Sequence, residues 1–308
     1  MDAPKVIYIG GHGRSGTTIL DRVLAEVTGG FSAGEIHRFW EYGLARDWTC
    51  SCGERLRDCE IWGPVLRQSF SEAGRSEKEI LEAWRTVARP HSLLSLWYPS
   101  LRSARFQRQL SRYRSFLEVL YRTLSQRSGK QVIVDSSGSP FHGYILSGMD
   151  GIEGSMIHLV RDARAVAFSN QKRKPNPSDP RPGATMETKP ALQVSMTWVV
   201  YNYLLENLRN EFNKQKLVKY ENIFDRSGQK MRTIYADFEG DIENEEIFLE
   251  KGIVDISLGH TGQGNPSRFN EGKIKLKVDR EWKKRILTSS NCVVNILCYF
   301  SLSKYGYI

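Results

Sequence analysis

The chain has 308 residues, 40% of them apolar, with 44 lysines and arginines against 35 acidic residues and a formal charge of +9. That is enough apolar residue for one large α/β core, and the longest apolar run, residues 293–302, is too short to span a membrane and includes Asn295 and Ser301. The basic clusters at 102–114 and 273–284 carry no recognisable nucleic-acid motif, so the positive balance points to a polyanionic small-molecule partner.

In chain order, the apolar run Val6 to Ile9 reads as a buried strand and the amphipathic stretch 19–27 as a helix. Between them lies Gly11-His-Gly-Arg14-Ser15-Gly16-Thr17-Thr18. A glycine-rich turn from strand to helix offers backbone N–H groups and the positive helix end to a phosphate. The spacing fits the nucleotide-binding template G-x-x-x-x-G-K-[ST], except that Thr17 replaces the lysine. Phosphoryl transfer needs that lysine and a magnesium ion, so ATP or GTP hydrolysis is disfavoured, and Arg14 supplies the cation instead. Ser32 to Ile36 reads as a second, short strand.

Cys50, Cys52 and Cys59 follow. Three thiolates fall one short of a closed structural zinc site, the fourth ligand having to be a distant residue such as His37 or His91. They read as a reduced, loop-stabilising cluster, with no metal expected. The segment 37–130 is helical in pattern: Phe106, Leu110, Tyr113, Leu117 and Leu120 recur every three or four residues. It serves as packing on the sheet and as a helical insertion, or lid, over the ligand crevice.

A strand at 132–134 leads to Asp135, and another at 157–160 ends at Arg161, with a helix beyond it. Arg161 and Ser169 are eight positions apart, so a strand-end arginine and a hydroxyl two turns into the helix converge on one phosphate. The bland alternative is an Arg161–Asp162 ion pair with Ser169 on a helix surface. The tract 172–190 holds five prolines and reads either as a mobile segment over the acceptor site or as a long connection. The run 293–302 reads as a core helix, with Cys292 and Cys298 as buried hydrophobes. Strands and helices alternate without a linker, so a single domain over 1–308 is expected. The first strand begins within about five residues, which leaves no room for a signal peptide, and the odd cysteine count favours a reducing, cytoplasmic setting.

The loop 13–18 and the segment Leu159 to Ser169 resemble the two cofactor motifs of sulfotransferases that use 3′-phosphoadenosine 5′-phosphosulfate (PAPS). Asp135-Ser136-Ser137, Trp198 with Asn202, Tyr220-Glu221, Gly264-Asn265-Pro266-Ser-Arg268 and Tyr305-Gly-Tyr307 are similar to elements that recur, in this order, in bacterial-type members. The resemblance implies a three-layer α/β fold with a mainly parallel sheet, and sulfuryl transfer from PAPS to a hydroxyl or amine of a small-molecule or glycan acceptor, without a metal. It implies that Arg14, Ser15, Gly16, Thr17 and Thr18 bind the 5′-phosphosulfate, and that Arg161 and Ser169 bind the 3′-phosphate. Tyr220, Gly264, Asn265 and Arg268 complete the cofactor site. Glu35 is then the base for the acceptor proton, in competition with His37, Asp135 and His142; Arg14 is the candidate for stabilising the leaving 5′-phosphate, and Asp135 and Ser136 lie near the pocket. Related proteins often carry lysine where this chain has Gly138, and Lys172 or Arg173 is a candidate replacement cation. A P-loop nucleotide kinase and a non-catalytic PAPS- or polyanion-binding protein are the rival readings.

Overall fold

The computed structural model describes residues 3–224, 233–236, 238, 248–249 and 252–308. Five strands, β1 (Lys5–Gly10), β2 (Phe31–Gly34), β3 (Val132–Gly138), β4 (Glu153–Val160) and β5 (Lys214–Lys219), form one sheet in the order β2-β3-β1-β4-β5, with every neighbouring pair parallel. Because side chains alternate along a strand, β1 points Val6 and Tyr8 into one core and Ile7 and Ile9 into another.

The first core holds helices α2 (Trp62–Ala73), α3 (Glu77–Val87), α5 (Ala104–Ser128) and α6 (Pro140–Leu146), with the one-and-a-half-turn α4 (Leu93–Trp97) at its edge. On the opposite face lies α1 (Thr17–Val27). The result is a three-layer α/β sandwich whose parallel sheet is covered on both faces. Helices α7 (Ala163–Gln171), α8 (Ala191–Leu208), α9 (Trp282–Arg285) and α10 (Thr288–Lys304) follow along the chain. Of the apolar run 293–302, Val294, Cys298 and Leu302 pack against α7 and α8, but Ile296 and Phe300 are 76% and 86% exposed and Cys292 is exposed. This helix is thus amphipathic, not a core helix, and Cys292 is not a buried hydrophobe.

A second, antiparallel sheet of β6 (Phe248–Leu249), β7 (Ile253–Ile256) and β8 (Gly272–Lys275) packs on α1. Its β7–β8 connection, residues 257–271, is carried back to the carboxyl ends of β1 and β2, where ligand crevices of parallel sheets lie. Arg22 of α1 pins this connection at two points, donating from Nη2 to the Ser257 carbonyl (3.0 Å) and from Nη1 to the Ser267 carbonyl (2.9 Å).

Candidate functional site

The turn from β1 into α1 is built around unusual backbone. Gly16 caps α1 in the left-handed region at φ 95°, and a Cβ there would sit 2.7 Å from the Tyr220 ring. Arg14 is also left-handed, φ 73°, a conformation costly for an arginine and characteristic of ligand-binding turns. No side chain caps α1 and its first turn carries no acidic residue, so the positive helix end meets no protein anion there. Ser15 is buried with its Oγ unpartnered among the described residues, as is Nη1 of Arg14; Nη2 of Arg14 reaches only the Met186 sulfur, at 3.0 Å.

Arg161 comes to this loop from the end of β4. Its Nη1 donates to the Arg14 carbonyl (2.9 Å), its Nη2 faces Asp279 Oδ2 (3.3 Å), and its plane lies 4.1 Å from the Tyr220 ring centre. Its Nε is buried without a partner among the described residues. Asp162 does not pair with Arg161; it caps α7 by accepting from Arg164 N (2.9 Å) and binds the Arg164 guanidinium (2.7 Å). Trp198 holds the strand end by donating to the Arg161 carbonyl (3.1 Å), and Asn202 meets His158 at 2.9 Å, which accounts for that pair of motif residues. Ser169 is buried in α7 and makes no hydrogen bond to Arg161 or to the loop. Tyr220 stands between Gly16 and Arg161, directly after β5.

The connection 257–271 closes the other side. The Asn265 N–H donates to Thr18 Oγ1 (3.3 Å), and a Cβ on Gly264 would lie 3.4 Å from that oxygen and 4.0 Å from Glu35 Oε1. Arg268 is wholly buried, donating to the Gly264 (2.9 Å) and Thr49 (2.6 Å) carbonyls, with Nε unpartnered among the described residues. Burial pushes its pKa down to about 10, against the pull of Cys50 and Glu35. Glu35 donates its N–H to the Gln263 carbonyl (2.8 Å), and its Oε2 is paired with Arg38 Nε (2.5 Å). Desolvation lowers the Arg14 pKa, while the nearby Glu35 charge opposes the shift.

The strand at 32–36 is shorter than its sequence suggested: β2 stops at Gly34 and Ile36–Arg38 forms a 3-10 turn. His37 therefore does not continue Glu35's strand face, and its position is set by the turn. The His37 N–H donates to Ser137 Oγ (3.2 Å), and its Nδ1 is buried without a partner among the described residues. Desolvation, followed by the Arg38 charge, drives its pKa well below the ordinary imidazole value.

Asp135, in β3, is a different kind of group. It is fully buried; Oδ1 accepts from Ser137 N (2.8 Å) and Oγ (2.5 Å), and Oδ2 from Tyr121 Oη (2.6 Å) and His142 Nε2 (2.9 Å). Burial alone would raise its pKa, but His142, Ser137 and Tyr121 outweigh burial and hold it below the ordinary carboxylate value. At the end of the same strand, Gly138 has φ 68°, and a Cβ would meet the Gly11 carbonyl oxygen at 2.7 Å. A lysine on this backbone would force the turn between β1 and α1 aside.

The replacement cations named from sequence fare unevenly. Lys172 is bound to Glu281 and lies over the Phe168 ring. Lys174, which the sequence did not single out, is electrostatically coupled to the site: desolvation and then the charges of Arg14 and Lys172 lower its pKa, with Arg161 contributing. The proline-rich tract folds back on itself, Pro175 bridging Thr185 and the Met186 N–H donating to the Lys174 carbonyl (2.8 Å), which sets Met186 and Lys174 beside Arg14. Three of the 102–114 arginines are engaged elsewhere. Arg105 meets Glu82 (3.4 Å), Arg112 lies 3.9 Å from Glu79, and Arg114 donates to carbonyls of Tyr144 and Ile145.

Cys50, Cys52 and Cys59 lie together, and the imidazole that joins them is neither His37 nor His91 but His260. Nothing in the spacing of the sequence signals a partner 201 positions beyond Cys59. Among the described residues no helix is long and apolar enough to cross a membrane.

No family model matches the chain, and no curated protein matches it. Among solved structures it is similar to a sulfotransferase domain from the curacin biosynthetic pathway, at 16% identity and a TM-score of 0.46 over 96% of this chain and 98% of that one.

Proposed function

We propose that this protein transfers a sulfuryl group from PAPS to a hydroxyl or amine of a small-molecule or glycan acceptor. The observation that carries the reading is a set of buried donors without partners around a phosphate-type loop that lacks the lysine: Arg14 Nη1, Ser15 Oγ and Arg161 Nε. Leaving such donors unsatisfied costs about 1 to 3 kcal/mol each, which an anion bearing several oxygens offsets.

The residues fit the donor at both ends. Arg14, Ser15, Gly16, Thr17 and Thr18 hold the 5′-phosphosulfate end, while Arg161 and Ser169 hold the 3′-phosphate. Tyr220 keeps Arg161 in place, and Gly264, Asn265 and Arg268 cover the loop. The donor supplies an activated sulfuryl group and leaves as the 3′,5′-bisphosphate. Glu35 takes the acceptor's proton at Oε1, the oxygen that Arg38 does not occupy. Arg14 stabilises the leaving phosphate, and Lys174 supplies the second cation where Gly138 replaces lysine. Asp135 positions Ser137 and His142 and does not touch the reacting atoms. With Thr17 in the lysine's place, magnesium-assisted phosphoryl transfer finds no counterpart in the loop.

The test is a thermal-shift comparison of 3′,5′-phosphoadenosine with ATP and magnesium. A ligand at about a hundred times its Kd adds about 2.7 kcal/mol of stability, so the bisphosphate should give the larger upward shift. Preference for ATP with magnesium would make the protein a kinase. Bisphosphate binding without turnover of PAPS across an acceptor panel would leave only a binding protein.

A further inference from the structure

Four potential ligands meet at the joint between the 50–59 segment and the β7–β8 connection. The sulfurs of Cys50, Cys52 and Cys59 and a ring nitrogen of His260 all lie within 4.8 Å of one another, and all five cysteines of the chain are free thiols. The imidazole is already turned for coordination: Nδ1 faces Cys59 Sγ at 3.3 Å, while Nε2 lies 3.0 Å from Glu60 Oε1. A histidine that binds through one nitrogen and donates its other N–H to a carboxylate is the usual arrangement at metal centres. The Trp62 N–H also points at Cys59 Sγ (3.5 Å), the kind of donor that supports a thiolate ligand.

We propose that Cys50, Cys52, Cys59 and His260 bind one zinc ion, closing a structural site that joins the helical insertion to the loop over the candidate crevice. Three thiolates and an imidazole make a four-coordinate, closed donor set for which zinc is the usual ion. Zinc–sulfur and zinc–nitrogen bonds of about 2.3 and 2.0 Å give ligand-to-ligand edges of about 3.5 to 3.8 Å, which the cluster reaches by small side-chain rotations. On binding, the three thiols release their protons to solvent, and His260 stays neutral with its remaining N–H on Glu60.

The consequence lies next door. The backbone around the cluster already stitches the two segments together, the Ser51 N–H donating to the Thr261 carbonyl (3.0 Å) and Trp62 Nε1 to the His260 carbonyl (2.6 Å). Three residues beyond His260, the Gln263 carbonyl receives the Glu35 N–H, and the Asn265 N–H donates to Thr18 Oγ1. An ion here fixes the cover of the phosphate loop without entering the crevice. The inference stands whether or not the crevice binds PAPS.

The experiment is metal analysis of the full chain purified under reducing conditions without a metal-affinity step, followed by cobalt substitution. About one zinc per chain is expected, with intense tetrahedral cobalt bands and thiolate-to-cobalt charge transfer after exchange. Cys50→Ser, Cys52→Ser, Cys59→Ser and His260→Ala should each lower the zinc content at least tenfold, and Cys292→Ser, on the exposed side of α10, should not. Should the ligand variants fail to fold, the cobalt spectrum of the unaltered protein decides alone. Absence of zinc after reduction and reconstitution, absence of tetrahedral cobalt bands, or a disulfide among the three cysteines in the reduced preparation would each overturn the proposal.

Discussion

Two buried polar regions lie within one strand of each other, and they are organised oppositely. Around the turn from β1 into α1, Arg14, Ser15 and Arg161 each keep a buried polar atom without a partner among the described residues. At Asp135 every lone pair has a donor, from Ser137, Tyr121 and His142. A carboxylate met by four donors holds its neighbours in place, even though Nδ1 of His142 has no partner among the described residues, whereas the open donors at the loop cost stability unless something outside the chain engages them. The contrast separates two groups that a motif alone lumps together. Arg161 keeps a buried donor open, while both carboxylate oxygens of Asp135 are engaged.

Replacing Asp135 is the strongest way to break this contrast. Asp135→Asn removes the charge facing His142 in a site with no solvent, and disrupting a buried pair costs about 3 to 5 kcal/mol. The expected result is a large drop in denaturant midpoint, with the bisphosphate still raising stability in whatever protein folds. Normal stability with turnover abolished would instead put Asp135 into the chemistry. Glu35→Gln comes next: nearly the same shape, it should retain 3′,5′-phosphoadenosine while losing about a hundredfold or more in turnover. If His37→Asn shows that loss and Glu35→Gln does not, the base is His37, whose neutral ring and open Nδ1 suit the task. Arg161→Ala should cost less stability than Asp135→Asn yet weaken the bisphosphate by about 1.5 to 3 kcal/mol, and adenosine 5′-phosphate much less. Equal weakening of both in calorimetry would end the 3′-phosphate assignment.

What the sequence made legible follows from the range of the forces involved. The β1 strand, the loop and α1 are contiguous, so the apolar period and the glycines display them directly; the same holds for β4, Arg161 and α7. Glu35 was reachable because it stands at the end of a short strand, although that strand's end was misplaced by a left-handed Gly34 and a 3-10 turn. The clamp of Arg22 on 257 and 267, the arrival of His260 at the cysteines and the approach of Met186 to Arg14 are long-range contacts, and local spacing carries no trace of them. Exposure of Cys292, Ile296 and Phe300 escaped for a related reason. An apolar run looks the same whether one side or all sides of its helix are covered.

Asp21 lies between the two kinds of region and offers the finest test of the contrast. It is wholly buried in α1, one turn beyond the phosphate loop; Oδ2 accepts the Ser136 hydroxyl at 2.6 Å, while Oδ1 has no partner among the described residues. Burial raises its pKa from 3.8 to about 7, against the hydrogen bond of Ser136. The folded state thus binds a proton that the unfolded chain has already released over this range. The sign follows from linkage: stability from this group is complete below the unfolded value and is lost as pH rises toward the folded one. Asp21→Asn removes the titration while keeping an acceptor for Ser136. The unfolding free energy of the unaltered protein minus that of Asp21→Asn should therefore fall at about 1.4 kcal/mol per pH unit between roughly 4 and 7, and level off above. A neutral Asp21 also leaves the cations of the loop unopposed, so bisphosphate affinity should weaken over the upper part of the same range in the unaltered protein and not in the variant. A flat stability difference across that window would mean that Asp21 is ionised in the fold, with water or a shifted donor filling Oδ1, and that an unpartnered atom beside this loop is not a reliable mark of a waiting ligand.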